Sequence, residues 1–197
     1  VRSRGLGDVY KRQLVLLGLF SGVCLRFEAA HNIVRGATGS QLSAMWFGEY
    51  FPNPALLGTD EVAFKAVSPA NAFAAEAVGT AFLLFFVFAL TDRRNPNAPS
   101  GRSNLYAYFI GFTVAIVISI VAPLTQAGLN PARDFAPRIV AYFAGWGPIA
   151  IPGPRGSEWW LYIVAPIVGG LVGAAIYDSV VRRFLPAPEA GAEVRVG

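Results

Sequence analysis

The stretch Gly128-Leu129-Asn130-Pro131-Ala132-Arg133-Asp134-Phe135 decides the fold, because it brings the first charge after a long apolar run to a point where a helix can begin. Asn is favoured at the N-cap of a helix, and Pro is favoured at the first helical position, where its missing N–H would have no partner. Residues 105–132 carry no charge, so this helix begins at the end of a membrane span or inside one. The stretch therefore predicts a short helix that starts at Asn130 within the depth of the bilayer.

The composition excludes several classes of protein. The 197 residues are 54% hydrophobic and 14% charged, with a mean hydropathy of +0.49, whereas about a quarter of the residues of a soluble domain are charged. The net charge of +4 comes mainly from Lys and Arg beside apolar runs, which indicates membrane orientation and not nucleic-acid binding. The single cysteine, Cys24, excludes an intrachain disulfide and a cysteine metal cluster. We therefore expect an integral membrane protein with no nucleic-acid partner.

Four apolar runs predict the membrane spans. Three of them, 71–91, 104–125 and 159–182, are each about 20 residues or slightly longer, which is enough for a helix to cross the bilayer. The run at 14–26 is shorter, and we interpret it as part of a span whose beginning is missing, with residues 1–13 as a non-native leader. A signal peptide has the same order of charged and apolar residues, but no small-residue cleavage pattern follows here. The predicted channel domain is thus 14–185, and 186–197 is a tail.

The positive charges predict the orientation. Arg93, Arg94 and Arg102 lie in the short link between two full spans, and Arg182 and Arg183 follow the last span. The positive-inside rule places this link and the C-terminus in the cytoplasm, so 26–70 and 126–158 face outward. The segment 126–158 is apolar but broken by prolines and glycines, which favours a re-entrant half-helix over about 130–144 that lines a cavity.

The residues at the start of that half-helix predict a path through the membrane that selects among solutes. The side-chain oxygen of Asn130 can cap the helix, which leaves its amide NH2 as a donor. Arg133 and the positive end of the helix dipole oppose cations, and the backbone carbonyls of Ala127, Gly128 and Leu129 offer acceptors. Such a path favours water and small polyols over ions and protons.

The other polar residues leave some alternatives open. Glu76, in the middle of a span, is interpreted as an acceptor for backbone N–H groups of the re-entrant segment, with Arg133 or a neighbouring helix as other possible partners. Asp134 and Arg138 are spaced for a local ion pair. A second triplet, Asn53-Pro54-Ala55, is rejected as a pore motif because no uncharged run leads into it.

Nothing in the sequence indicates an enzyme. The only histidine, His31, has no cluster of ligand residues around it, so no metal site is predicted. No catalytic residue constellation and no cofactor motif is present. The spacing of Ala165, Gly169 and Gly173 is typical of helices that pack closely in membranes.

Together these residues resemble the major intrinsic protein family, the aquaporins and glycerol facilitators. The resemblance lies in Ala122-Pro123-Leu124-Thr125, in 128–138, in Ala144-Gly145-Trp146-Gly147, in 73–76 and in 165–170. It implies an all-α membrane protein, an aquaporin-like right-handed helical bundle of two inverted halves, and a homotetramer. The chain would contain the second repeat and part of the first.

The resemblance also implies roles for single residues. Asn130, Pro131 and Ala132 match the second pore triplet, and Arg133 matches the arginine of the narrow filter. Ala127 and Ile118 match two further filter positions, and Glu76 matches the glutamate that holds the loop.

The resemblance favours one subtype within the family. Asp134, Arg138 and the apolar Ile118 resemble glycerol facilitators, whereas Gln126, Ala127 and Tyr162 depart from them. We therefore predict a passive channel for glycerol, small neutral solutes and water in the cell membrane. The alternatives are a water-selective aquaporin, half of an inverted-repeat secondary transporter, and a membrane protein with a purely structural role.

Overall fold

The computed structural model describes residues 6–96, 98–99 and 105–186. These ranges are helical with connecting turns and contain no β-strand, so the prediction of an all-α fold is confirmed for them. The helices are α1 (Leu6–Ala30), α2 (Gln41–Ala44), α3 (Pro54–Leu57), α4 (Glu61–Ala66), α5 (Pro69–Thr91), α6 (Tyr106–Thr125), α7 (Pro131–Ala141) and α8 (Glu158–Val180). Arg102, most of the predicted tail and the first five residues of the predicted leader lie outside the described ranges.

Four helical segments are long and apolar enough to cross a membrane. They are Lys11–Ala30, Pro69–Thr91, Tyr106–Thr125 and Glu158–Phe184. α1 begins at Leu6, so residues 6–13 are helical and continuous with the first of these segments. α5 begins at Pro69 and not at 71, because the Ser68 hydroxyl accepts the N–H of Asn71 at 3.1 Å and so caps the helix two residues earlier.

The most extensive helix contact joins α5 and α8. Gly169 and Gly173 of α8 lie directly against the backbone carbonyls of Ala77 and Ala81, and a methyl group at either glycine would overlap those oxygens. Small residues let two helices approach closely inside a membrane, where van der Waals packing is the main attraction between them. This contact fixes α5, and with it Glu76, beside α8.

α7 has the length of a half-helix. It begins one residue after Asn130 and its α-helical part ends at Ala141, three residues before the predicted end. The chain continues as a π-helical turn over Tyr142–Trp146, in which Gly145 has φ of 107°. Glycine adopts this left-handed conformation without a steric penalty, so Gly145 ends the helix and turns the chain.

The segment between α1 and α5 packs over α7 and the turn that follows it. The indole N–H of Trp146 donates to the Ser43 hydroxyl at 2.9 Å, and the Tyr50 hydroxyl donates to the carbonyl of Ile149 at 3.0 Å. α1 also packs against α7. These contacts place Ser43 and Tyr50 against the turn that follows the C-terminal end of α7.

Candidate functional site

The site is built around the N-terminus of α7. Asn130 is extended, with φ of −152°, and its side-chain oxygen accepts the N–H groups of Ala132 at 3.0 Å and Arg133 at 3.3 Å. Pro131 occupies the first helical position, where no N–H is needed. The Asn130 amide is thereby oriented, and its NH2 group points away from the helix as a donor.

The segment before Asn130 is held in an unusual conformation. Gln126, Ala127 and Leu129 all have φ between 54° and 62°, in the left-handed region. For residues other than glycine this conformation costs of order 1–3 kcal/mol each. The surrounding structure must therefore hold these residues in place.

Glu76 supplies much of that support. One carboxylate oxygen accepts the Thr125 hydroxyl at 2.5 Å and the N–H of Gly128 at 3.0 Å, and the other accepts the N–H of Leu129 at 2.7 Å. The carboxylate is fully buried, which costs desolvation free energy. The three hydrogen bonds offset that cost. Of the partners considered from the sequence, Glu76 contacts both the backbone before Asn130 and, through Thr125, the neighbouring helix α6, whereas Arg133 is paired with Glu49.

A second carboxylate holds the other side of the site. Asp134 accepts Nε–H of Arg138 at 2.7 Å and the backbone N–H of Glu49 at 2.6 Å, and both side chains are fully buried. Arg138 also donates to the carbonyl of Glu49 and, at 3.0 Å, to that of Ala150. The two residues do form a local ion pair, and that pair also fixes the backbone of Glu49.

Arg133 lies at the wall of a cavity of about 470 Å³. Its guanidinium forms an ion pair with the carboxylate of Glu49. The Arg133 side chain is 48% exposed, whereas that of Glu49 is 7% exposed. Arg133 therefore keeps donors free for the cavity while one side of its guanidinium is occupied. The polar lining residues are Arg12, Gln13, Glu49, Asn53, Gln126 and Arg133.

The structure brings together only some of the residues singled out from the sequence. Neither Ile118 nor Ala127 lines this cavity: Ala127 is buried against Val117 and Val121 of α6, and Ile118 is exposed on α6. Asn130 is exposed beside the cavity wall and not part of it.

Two site residues are not predicted from the sequence. Glu49 belongs to no motif, and Gln126 stands out only as a departure from the glycerol facilitator pattern. Gln126 has φ of 62°, and its side-chain oxygen accepts the N–H of Tyr50 at 2.8 Å. That departure is the one signal that the sequence offers for Gln126, whereas nothing local marks Glu49.

The rejected triplet begins a different kind of helix. Asn53 caps α3, which has only four residues, by accepting the N–H of Ala55 at 3.0 Å. Its amide donates to the carbonyl of Ala122 at 2.8 Å. Asn53 thus ties the loop to α6 and lines the cavity without starting a half-helix.

The arrangement can bind neutral solutes through paired donors and acceptors. The half-helix presents its dipole, Asn130 and Arg133, which favour acceptor groups and oppose cations. Among the residues that the structure describes, no group of three or more His, Cys, Asp or Glu side chains is placed to hold a metal ion.

The chain is similar in sequence to several uptake facilitator proteins. A glycerol uptake facilitator protein of Pseudomonas aeruginosa is 42% identical over 176 residues, which cover 89% of this chain and 58% of that protein. The facilitator of Escherichia coli K12 is 38% identical and is covered over 56% of its length. A propanediol uptake facilitator of Citrobacter freundii is 37% identical and is covered over 57%. The chain thus spans less than two thirds of the relatives it matches.

The fold has a counterpart among solved structures. The X-ray structure of the aquaglyceroporin from Plasmodium falciparum superposes with a TM-score of 0.66 and 20% identity, over 89% of this chain and 61% of that one. This likeness confirms the prediction of an aquaporin-like helical bundle. The sequence profile of the major intrinsic protein family matches residues 15–177. The chain is therefore a membrane protein that belongs to the major intrinsic protein family.

Proposed function

We propose that this chain contributes to a passive transmembrane channel for glycerol, other small neutral solutes and water, which excludes ions and protons. The observation that carries the proposal is the start of α7, where Asn130 caps a half-helix and Arg133, one turn later, opens onto a cavity of about 470 Å³. The names of the glycerol and propanediol facilitators support the choice of solute. We propose no covalent chemistry and no cofactor.

The pore assignments follow from the chemistry of each residue. Asn130 donates to a passing hydroxyl group, and Arg133 donates to it and opposes cations. The carbonyls of Ala127, Gly128 and Leu129 accept from the solute, and Ala127 acts at its filter position through this carbonyl because its side chain is buried against α6. Ile118, which is exposed on α6, is proposed to form the apolar wall of the filter against which CH groups slide. Glu76, Asp134 and Arg138 position the segment.

The setting of the channel follows from the charges beside its spans. We propose a multi-pass protein of the cell membrane with a cytoplasmic C-terminus, since Arg93, Arg94, Arg182 and Arg183 all lie at the ends of α5 and α8 that would face inward. A homotetramer in contact with membrane lipids is the proposed assembly.

Stopped-flow light scattering with proteoliposomes of the full-length protein tests the function. After a glycerol pulse, vesicles should shrink and then swell again as glycerol enters, and a sucrose pulse should give shrinkage alone. Water flux without glycerol entry would favour the water-selective alternative. Glycerol entry that requires an ion gradient and stops when the gradient is abolished would favour a secondary transporter.

A further inference from the structure

Glu49 is a charged residue at the wall of the cavity, where a fixed charge would affect the entry of ions. Its carboxylate pairs with Arg133 at the cavity wall. Glu49 lies outside the half-helix, in the segment between α1 and α5, and both Glu49 and Arg133 line the cavity.

The backbone of Glu49 is fixed before any solute arrives. Its N–H donates to Asp134 and its carbonyl accepts from Arg138, and these two side chains are paired with each other and fully buried. The neighbouring Gly48 lies so close to Arg138 that a methyl group there would overlap the arginine side chain. Glu49 is therefore held in position by buried groups and does not depend on its contact with Arg133 alone.

This position sets the charge of the cavity wall. Without Glu49, the guanidinium of Arg133 and the positive end of the α7 dipole would act together and attract anions. At an effective dielectric constant of about 20, a unit charge about 4 Å from a passing ion changes the ion's entry by well over tenfold. The carboxylate cancels that attraction and still leaves free N–H donors on Arg133.

We propose that Glu49 is a specificity-determining residue that cancels the charge of Arg133, so that the filter rejects anions as well as cations. The proposal rests on the proposed channel function and adds the basis of its selectivity between charge types. A neutral filter that keeps a donor beside an acceptor suits solutes with adjacent hydroxyl groups, each of which can donate and accept.

The test compares ion entry among charge variants in proteoliposomes. Chloride entry is followed with an enclosed chloride-sensitive dye, and potassium efflux with an electrode. Glu49→Gln keeps the shape of the side chain and removes its charge, and it should raise chloride entry by about tenfold or more. Arg133→Gln should instead raise potassium efflux, because it leaves the carboxylate alone. The double variant should return chloride entry to near the wild-type level.

A matched control removes the same charge elsewhere. Glu61→Gln changes an exposed carboxylate on α4, outside the lining of the cavity, and should leave both ion fluxes unchanged. A purely structural role for Glu49 would predict nonspecific leak of both ion types in Glu49→Gln, and that result would overturn the proposal. Unchanged chloride entry in Glu49→Gln would overturn it too.

The two proposals fail in different ways. If wild-type vesicles do not admit glycerol but the single variants admit ions of opposite sign, the channel function for polyols is wrong and the role of Glu49 stands. If glycerol enters but ion selectivity does not follow the charge at Glu49, the channel function stands and the proposed role of Glu49 is wrong.

Discussion

Asp134 and Arg138 form a fully buried ion pair one turn apart on α7, and both hold the backbone of Glu49, which is more than 80 residues away in sequence. The aromatic ring of Tyr50 lies 4.8 Å from the guanidinium carbon of Arg138. The pair is thus the point at which the segment between α1 and α5 is fastened to the half-helix.

Removal of one partner of this pair should destabilise the protein strongly. Asp134→Asn leaves the buried guanidinium of Arg138 without its charged partner, which typically costs about 3–5 kcal/mol. We expect a large fall in the apparent melting temperature in detergent. The control is Asp178→Asn, in an exposed ion pair with Arg182 at the same spacing, and it should change stability by less than about 0.5 kcal/mol. Equal effects at the two sites would contradict the role of burial.

Gly173 should not tolerate a side chain. Gly173→Ala would push a methyl group into the carbonyl of Ala81, and overpacking of this kind costs about 1–3 kcal/mol. Gly170→Ala is the matched control, because its methyl group would meet only Leu84 at 3.7 Å. Alanine is also the better helix former, so this control should be neutral or stabilising by up to about 1 kcal/mol. The melting temperature of Gly173→Ala should therefore fall, whereas that of Gly170→Ala should stay the same or rise.

The features that the sequence predicts are those with local causes. The cap at Asn130 and the long apolar helices follow from residues next to each other in the chain, and α5, α6 and α8 begin within two residues of the starts predicted for the apolar runs. The contact between Gly169 and α5 follows from a spacing pattern along one helix.

The features that the sequence does not reveal depend on distant contacts. Glu49 is brought to Arg133 by bonds to Asp134 and Arg138, whose sequence separations of 85 and 89 residues leave no local signature. Two of the three short helices between α1 and α5 have local caps, at Asn53 and Asp60. The packing of this segment over the end of α7 is not visible in the sequence, because the contacts of Ser43 with Trp146 and of Tyr50 with Ile149 join residues 103 and 99 positions apart.

Glu76 should be needed for both stability and conduction. A glutamine at this position has one acceptor oxygen where Glu76 has two, so at least one of the donors from Thr125, Gly128 and Leu129 loses its partner. An unsatisfied buried donor costs about 1–3 kcal/mol. Glu76→Gln should therefore melt at a lower temperature and admit glycerol more slowly, whereas the exposed Glu61→Gln should do neither. A Glu76→Gln protein with wild-type glycerol flux and stability would show that other contacts are enough to hold the segment before Asn130 in place.

The end of α5 should respond to acid. Hydrogen bonds from the Arg94 side chain hold the pKa of Asp92 well below its usual range, and the Tyr177 hydroxyl also donates to Asp92. Because the folded pKa is below the unfolded value of about 3.9, Asp92 stabilises the fold above that pH and loses its contribution as the pH falls further. Asp92→Asn should reduce the difference in melting temperature between pH 6 and pH 3. An unchanged difference would mean that other carboxylates account for the acid response.

The last prediction separates the two roles of Asn130. Asn130→Ala removes the cap of α7 and should cost about 1 kcal/mol. Ser68→Ala removes the corresponding cap of α5 and should cost a similar amount. If Asn130 also meets the solute, only Asn130→Ala should slow glycerol entry beyond the effect of lost stability.

Asn130→Asp completes this comparison, because aspartate caps a helix as well as asparagine does but has no NH2 donor and adds a negative charge. This variant should keep the melting temperature of the wild type, admit glycerol more slowly and let cations pass. Normal glycerol entry together with normal cation exclusion in Asn130→Asp would mean that Asn130 serves α7 only as a cap, since the cap is the one property that this substitution preserves.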